Sequence, residues 1–218
     1  MIRRVPGAGG PGPDIADTCR RVIGDDGAAL ELRITTSEPE AALDALSSGA
    51  VDLAVVHSYS NVPREIPRGL ATRTIGTEPI WLATPKADHP TGAEPSTRLE
   101  DYADHSWIAA TDDVTCFDMI ERACGLAGFR PRIVAESMDF SVQLELVAAG
   151  VGVALVPDLT VETRPEGVEL LSPAKPIERT ILLAARASRF ADPGIRNLAE
   201  IIEESARAQL TARGQRHQ

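Results

Sequence analysis

The sequence predicts an α/β protein with largely parallel sheets, and three observations carry that reading. Short apolar runs rich in Val, Ile and Leu alternate with segments of helical period. Helix-start signals and helix-ending glycines bracket the helical segments. The 218 residues are 43% apolar, enough core for one large domain or two small lobes.

Leu30 to Thr35 reads as a strand. Ser37-Glu38-Pro39-Glu40 then has the form of a capping box, with Ser37 at the N-cap, Glu40 three residues later and Pro39 in the first turn. Ala42, Leu43 and Leu46 give the helix its apolar face, and Ser48-Gly49 ends it before the buried strand Val51 to Val56. This is one β-α-β unit. Asn61 to Gly69 reads as a loop, and Leu70 to Ile75 and Pro79 to Thr84 as strands separated by a turn at Gly76-Thr77.

The three prolines of Pro85 to Ser96 suggest a crossing between lobes, after which the pattern restarts. Leu99 to Ala103 is a short helix, Trp107 to Ala110 a strand, Phe117 to Ala127 a helix closed by Gly128, and Arg132 to Glu136 a strand. Ser141 to Ala149 is a helix ending at Gly150, followed by the apolar strand Val151 to Val156. The last third supplies a strand, Thr180 to Ala185, and a helix from near Pro193 whose Ile195, Leu198, Ile201, Ile202 and Ala206 share one face. Ala212 to Gln218 reads as a disordered tail.

Composition excludes several function classes. With 32 acidic and 22 basic residues the net charge is −10, which opposes binding of DNA or anionic lipid by the chain as a whole. No apolar run approaches the ~18 to 20 residues of a membrane helix. Met1 to Gly7 has two arginines but no following apolar stretch, so it is not a secretory signal. Cys19, Cys116 and Cys124 are an odd number without a CxxC pair, which points to a reduced cytoplasmic setting without disulfide or zinc.

The motifs that suggest chemistry are weak. Gly7-Ala8-Gly9-Gly10-Pro11-Gly12 is a literal GxGxxG with Glu31 about twenty residues on, but Pro11 and Pro13 flank the glycine that a dinucleotide fold packs inside its first helical turn. A loop whose backbone N–H groups can meet an anion is the better reading. There is no GxSxG elbow, and His57, His89, His105 and His217 form no metal-spaced pair. Thr111-Asp112-Asp113-Val114-Thr115 follows a strand and precedes a helix, so it either caps that helix or faces a ligand, and both can hold. Cys116 and Cys124 stand about 12 Å apart along one helix, beyond the ~7 Å reach of a disulfide.

Two stretches together resemble the effector-binding domain of LysR-type transcriptional regulators. Leu30-Glu31-Leu32-Arg33-Ile34 with Ala42 to Val55, containing Leu46, Gly49, Asp52 and Leu53, is similar to that family's strand, helix and "L..G.lDlai" signature. Ala127-Gly128-Phe129-Arg130-Pro131, Val134, Glu136 and then Val147-Ala148-Ala149-Gly150-Val151-Gly152-Val153-Ala154-Leu155-Val156-Pro157 are similar to its "aGf.P.v..e" and "lVaaGlGialvP" segments. Asp88-His89-Pro90 and Leu99-Glu100-Asp101-Tyr102 also fit, and the match runs from about Leu30 to about Leu198.

The resemblance implies two α/β lobes of the type II periplasmic-binding-protein kind joined by two crossing strands. Lobe I would comprise residues 1–80 and 179–218, the latter with the C-terminal helix and tail, and lobe II residues 81–178. It implies a small-molecule effector held between the lobes without catalysis, cofactor or metal. It also implies a homodimer through lobe I to lobe II contacts, with the helix after Ser37 meeting the partner's helix after Ser141, although their apolar residues, Leu43 and Leu46 against Leu144 and Val147, could equally be core. The family's winged helix-turn-helix is not among these residues, so DNA contact would fall to an N-terminal domain outside this sequence. A type II solute-binding protein of a transport system shares the fold and is the alternative.

In such a fold, ligand contacts come from loops after strands and from helix starts. The effector-contacting candidates are Gly9, Gly10, Ser37, Glu38, Thr111, Asp112, Phe140 and Ser141. Ser37 and Ser141 are equally readable as helix caps, whereas an apolar ring at Phe140 could stack on a ligand. Glu38 and Asp112 favour a neutral polar or cationic effector, while the glycine loop and helix starts would suit a carboxylate.

Overall fold

A computed structural model of the chain describes residues 5–7, 33–86 and 97–214. The described strands are β1 (Val5–Gly7), β2 (Ile34–Thr36), β3 (Leu53–Tyr59), β4 (Leu70–Pro85), β5 (Ser106–Ala109), β6 (Arg132–Glu136), β7 (Ala154–Pro157), β8 (Val168–Leu171) and β9 (Glu178–Arg186). The α-helices are α1 (Pro39–Ser48), α2 (Thr115–Leu126), α3 (Phe140–Ala148) and α4 (Pro193–Gly214), with short 3-10 turns at Leu99–Tyr102, Asp158–Thr163 and Arg189–Ala191. Two units result: residues 1–58, 64–77 and 180–218 form the first, and 59–63 with 78–179 the second.

The first unit holds strands in the order β2, β1, β3, β9, β4, with β1 parallel to both β2 and β3. Helix α1 buries Ala42, Leu43 and Leu46 against Val51, Ala54, Val56 and Ala184. Each fully buried leucine contributes about 1.5–3 kcal/mol. The long helix α4 buries Ile195, Leu198, Ala199, Ile202 and Ala206, the face its three- and four-residue spacing predicts.

Two local readings are corrected here. The expected Ser37 capping box does not form: the N-cap of α1 is Glu38, at φ −63 and ψ 155, without a side-chain cap bond. The residue before a proline is driven out of the helical region, so Pro39 becomes the first helical residue and Ser37 falls one position outside. Glu40, freed from the box, pairs with Arg64 instead. The second correction concerns Gly76, which lies inside one continuous strand, β4, and not in a turn. A Cβ on Gly76 would stand 1.9 Å from Leu210 Cδ1, so the glycine makes room for α4.

In the second unit β5 and β6 pair in parallel, while the later half of β4 pairs antiparallel with β7 and with β8. Helices α2 and α3 pack through Met119, Ile120, Ala123 and Cys124 and through Phe140, Leu144 and Val147. Trp107 is fully buried and donates from Nε1 to the Tyr102 carbonyl at 3.1 Å. Strand β8 and the 3-10 turn after β7 are additions that the sequence pattern does not announce.

After a brief excursion into the second unit at residues 59–63, the chain passes to it inside β4, between Thr77 and Glu78, and returns inside β9, between Arg179 and Thr180. Most of the proline-rich Pro85 to Ser96 segment, expected as a crossing, lies outside the described residues. Within the second unit, the residues at these passages are tied by a buried ion pair, Arg179 to Glu78 at 2.6 Å, and Glu78 also accepts from the Leu159 amide at 2.6 Å. Burial drives the Glu78 carboxyl upward, against the opposing pull of Arg179 and the Leu159 amide. Leu43, Leu46, Leu144 and Val147, readable either as dimer contacts or as core, are all at most 4% exposed and belong to the cores of their own units.

Candidate functional site

In the second unit the carboxyl ends of the parallel strands β5 and β6 carry two loops that touch. The Ser137 amide donates to the Ala109 carbonyl at 2.9 Å and joins the strand ends. Thr111 Oγ1 donates to Asp113 Oδ1 at 2.7 Å and lies 3.3 Å from Met138 Sδ. The loop of Thr111 and Asp112 is thus brought beside the loop that leads to Phe140 and Ser141.

Asp139 is the N-cap of α3, and its carboxylate accepts from the Ser141 amide at 2.8 Å and the Ser141 hydroxyl at 2.7 Å. Those bonds hold its carboxyl below the ordinary aspartate range. Ser141 is therefore not the cap but a donor to it. Phe140, at 6% exposure, packs its ring in the core. Gln143, 1% exposed, donates from Nε2 to the Ser137 carbonyl at 2.7 Å and pins the loop from beneath. The result is a rim of hydroxyls and exposed carboxylates, suited to hydrogen bonding a polar molecule.

The remaining candidates are placed separately. Ser37 and Glu38 are half-buried before α1 in the first unit, where the Glu38 carbonyl accepts from the Ala42 amide at 2.9 Å. Gly9 and Gly10 lie outside the described residues. Sequence reasoning missed Ser137, Asp139 and Gln143. The spacing Ser137-x-Asp139-x-Ser141 carried a signal for the cap, since an N-cap aspartate accepts from the amide two residues on. Nothing in the sequence marks the Gln143 bond, which depends on the fold of the loop.

Cys116 and Cys124 are both buried and neither is in a disulfide, and burial pushes the Cys124 thiol up to about 12, which makes Cys124 a poor nucleophile. The Tyr59 hydroxyl lies 3.0 Å from Cys116 Sγ. Among the described residues no three His, Cys, Asp or Glu side chains are placed to hold a metal, and no helix is long and apolar enough to cross a membrane.

Comparison with known proteins follows the same lines. The family model described as LysR substrate binding domain matches residues 27–207. The chain is 30% identical over 168 residues to the small neutral protease regulatory protein of Streptomyces coelicolor, covering 77% of this chain and 50% of that protein. It is 27% identical over 159 residues to the malonate utilization transcriptional regulator of Klebsiella pneumoniae, covering 71% and 49%. Its fold is similar to that of the effector binding domain of QuiR in complex with shikimate, with a TM-score of 0.74 at 17% identity, covering 95% and 97% of the two chains. The chain spans about half the length of the curated relatives it matches.

Proposed function

The chain belongs to the LysR substrate-binding domain family, and from that membership we propose that it is the effector-sensing domain of a bacterial transcriptional regulator acting in the cytoplasm. It would hold a small polar metabolite without chemistry. The observation that carries this reading is the pair of touching loops at the ends of β5 and β6, which presents Thr111, Asp112 and Ser141 in a rim of hydrogen-bonding groups. The matched relatives are regulators and not enzymes or transport proteins. All eight candidates are kept as proposed effector contacts: Ser37 and Glu38 in the first unit, Thr111, Asp112, Phe140 and Ser141 in the second, and Gly9 and Gly10 outside the described residues. An effector acts by binding two arrangements of the protein with different affinity.

DNA contact is assigned to a domain outside these 218 residues, whose net charge of −10 disfavours it. A second copy of the chain is the proposed partner. With Leu43, Leu46, Leu144 and Val147 in the cores, the exposed apolar groups that could meet it include Ile34 on β2, and Val134 and Val142 on β6 and α3, each more than 40% exposed.

A thermal-shift screen of metabolites against wild type, Thr111→Val and Glu38→Gln tests the site. An authentic effector raises the melting temperature with concentration, and less so in a variant that loses a contact. A hit that stabilises both variants as much as wild type overturns these assignments. Sedimentation at micromolar concentration showing only monomer removes the dimer.

A further inference from the structure

We propose that a groove on the second unit, distinct from the loops of Thr111 and Ser141, binds a small amphipathic monocarboxylate, with its apolar body on Leu99, Leu126 and Ile177 and its carboxylate at Lys175. The groove encloses about 410 Å³ between the 3-10 turn at Leu99–Tyr102, the carboxyl end of α2 and the segment before β9. That volume is within the ~300–1,000 Å³ of small-molecule sites.

Three features point to such an occupant. Leu126 ends α2 with 64% of its surface exposed, the largest exposure of any large apolar residue among those described. An apolar ligand body would cover it. The Lys175 ammonium stands at the rim, 3.5 Å from the Leu126 carbonyl, so a positive charge sits directly beside the apolar wall. Arg98 and Glu100, 4.0 Å apart on the same rim, offset one another and leave Lys175 to set the sign. Third, the wall contains one polar side chain held in place: Asn61 donates from Nδ2 to the Met119 carbonyl at 2.9 Å, and its buried Oδ1 has no partner among the described residues. A hydroxyl or N–H on the ligand body would satisfy it.

Methyl NMR of the whole chain, titrated with octanoate and with octylammonium, tests the proposal with one apolar body and two opposite charges. Octanoate is expected to shift the Leu99, Leu126 and Ile177 methyls saturably and to bind about fivefold more tightly than octylammonium, the ceiling for an exposed ion pair. Lys175→Glu should reverse that preference, and Leu126→Glu should weaken octanoate. Both positions are exposed, and an otherwise unchanged spectrum confirms the fold of each variant. Equal binding of the two ions overturns the proposal. So do shifts confined to the Thr111 and Val142 methyls, which would assign octanoate to the effector loops, and movement of the groove methyls on protein dilution alone, which would mean that a second copy covers the groove.

Discussion

Arg186 donates to the carboxylate of Asp52 at 3.1 Å, across 134 residues of sequence, and the same guanidinium closes the carboxyl end of α1 by donating to the Leu46 carbonyl at 2.7 Å and the Val51 carbonyl at 3.2 Å. Arg189 donates to the same Asp52 oxygen at 3.1 Å. The αL residue Gly49, at φ 80, lets the chain turn under this guanidinium, since a Cβ there would stand 3.1 Å from Arg186 Nη1. The aspartate of the glycine-to-aspartate signature is thus a structural hub that clamps a helix end to β9.

Asp52→Ala is expected to destabilise the chain by about 1–3 kcal/mol. Removing one partner of a fully buried pair costs about 3–5 kcal/mol, and the figure is discounted because the two arginines are about a quarter to a third exposed. Urea midpoints at neutral pH check it, and an unchanged midpoint would remove the hub role.

Glu78→Gln should cost more, about 3–5 kcal/mol, because it strands the Arg179 charge at 4% exposure. The double variant Glu78→Gln with Arg179→Met should recover part of that loss. A double variant no more stable than the single one would show that the charge is not the cause.

Gly76→Ala places a Cβ against the end of the Leu210 side chain, which can swing away, so the expected cost is about 1 kcal/mol. In a double-mutant cycle with Leu210→Ala the two changes should couple favourably. Strict additivity would mean that the approach of α4 is not what requires a glycine.

Asp139→Ala should cost about 1 kcal/mol at neutral pH through loss of the α3 cap. The folded carboxyl is depressed below its unfolded value, so the cap's charge contributes fully above about pH 5 and less as pH falls through the ordinary value near 3.9 and then through the folded one. The gap between wild type and variant should therefore narrow in acid, whereas Asp139→Asn should cap at every pH. A gap that widens in acid would reverse the assigned sign.

Cys124 should react with Ellman's reagent at pH 8 only as the chain opens, since its thiol is buried and shifted to about 12. Rapid labelling of Cys124 without urea would contradict that burial.

The sequence by itself determined the alternation of strands and helices, because apolar periodicity, glycine helix ends and proline positions act through residues within a turn or two of one another. The ends of α1 and α3 at Gly49 and Gly150 and the apolar face of α4 were legible for that reason. So was the family, whose signature segments are short and contiguous. Of the site, the Thr111 loop and the start of α3 were readable as positions, and the Asp139 cap had a local signal, but nothing local showed that Gln143 would hold the Ser137 loop. Only the tertiary structure decided that Gly76 serves Leu210 and not a turn, that Leu43, Leu46, Leu144 and Val147 face their own cores, and that Glu78 finds Arg179. Each of these depends on packing between residues far apart in the chain, where the space and charge that a side chain meets are set by partners no local pattern names.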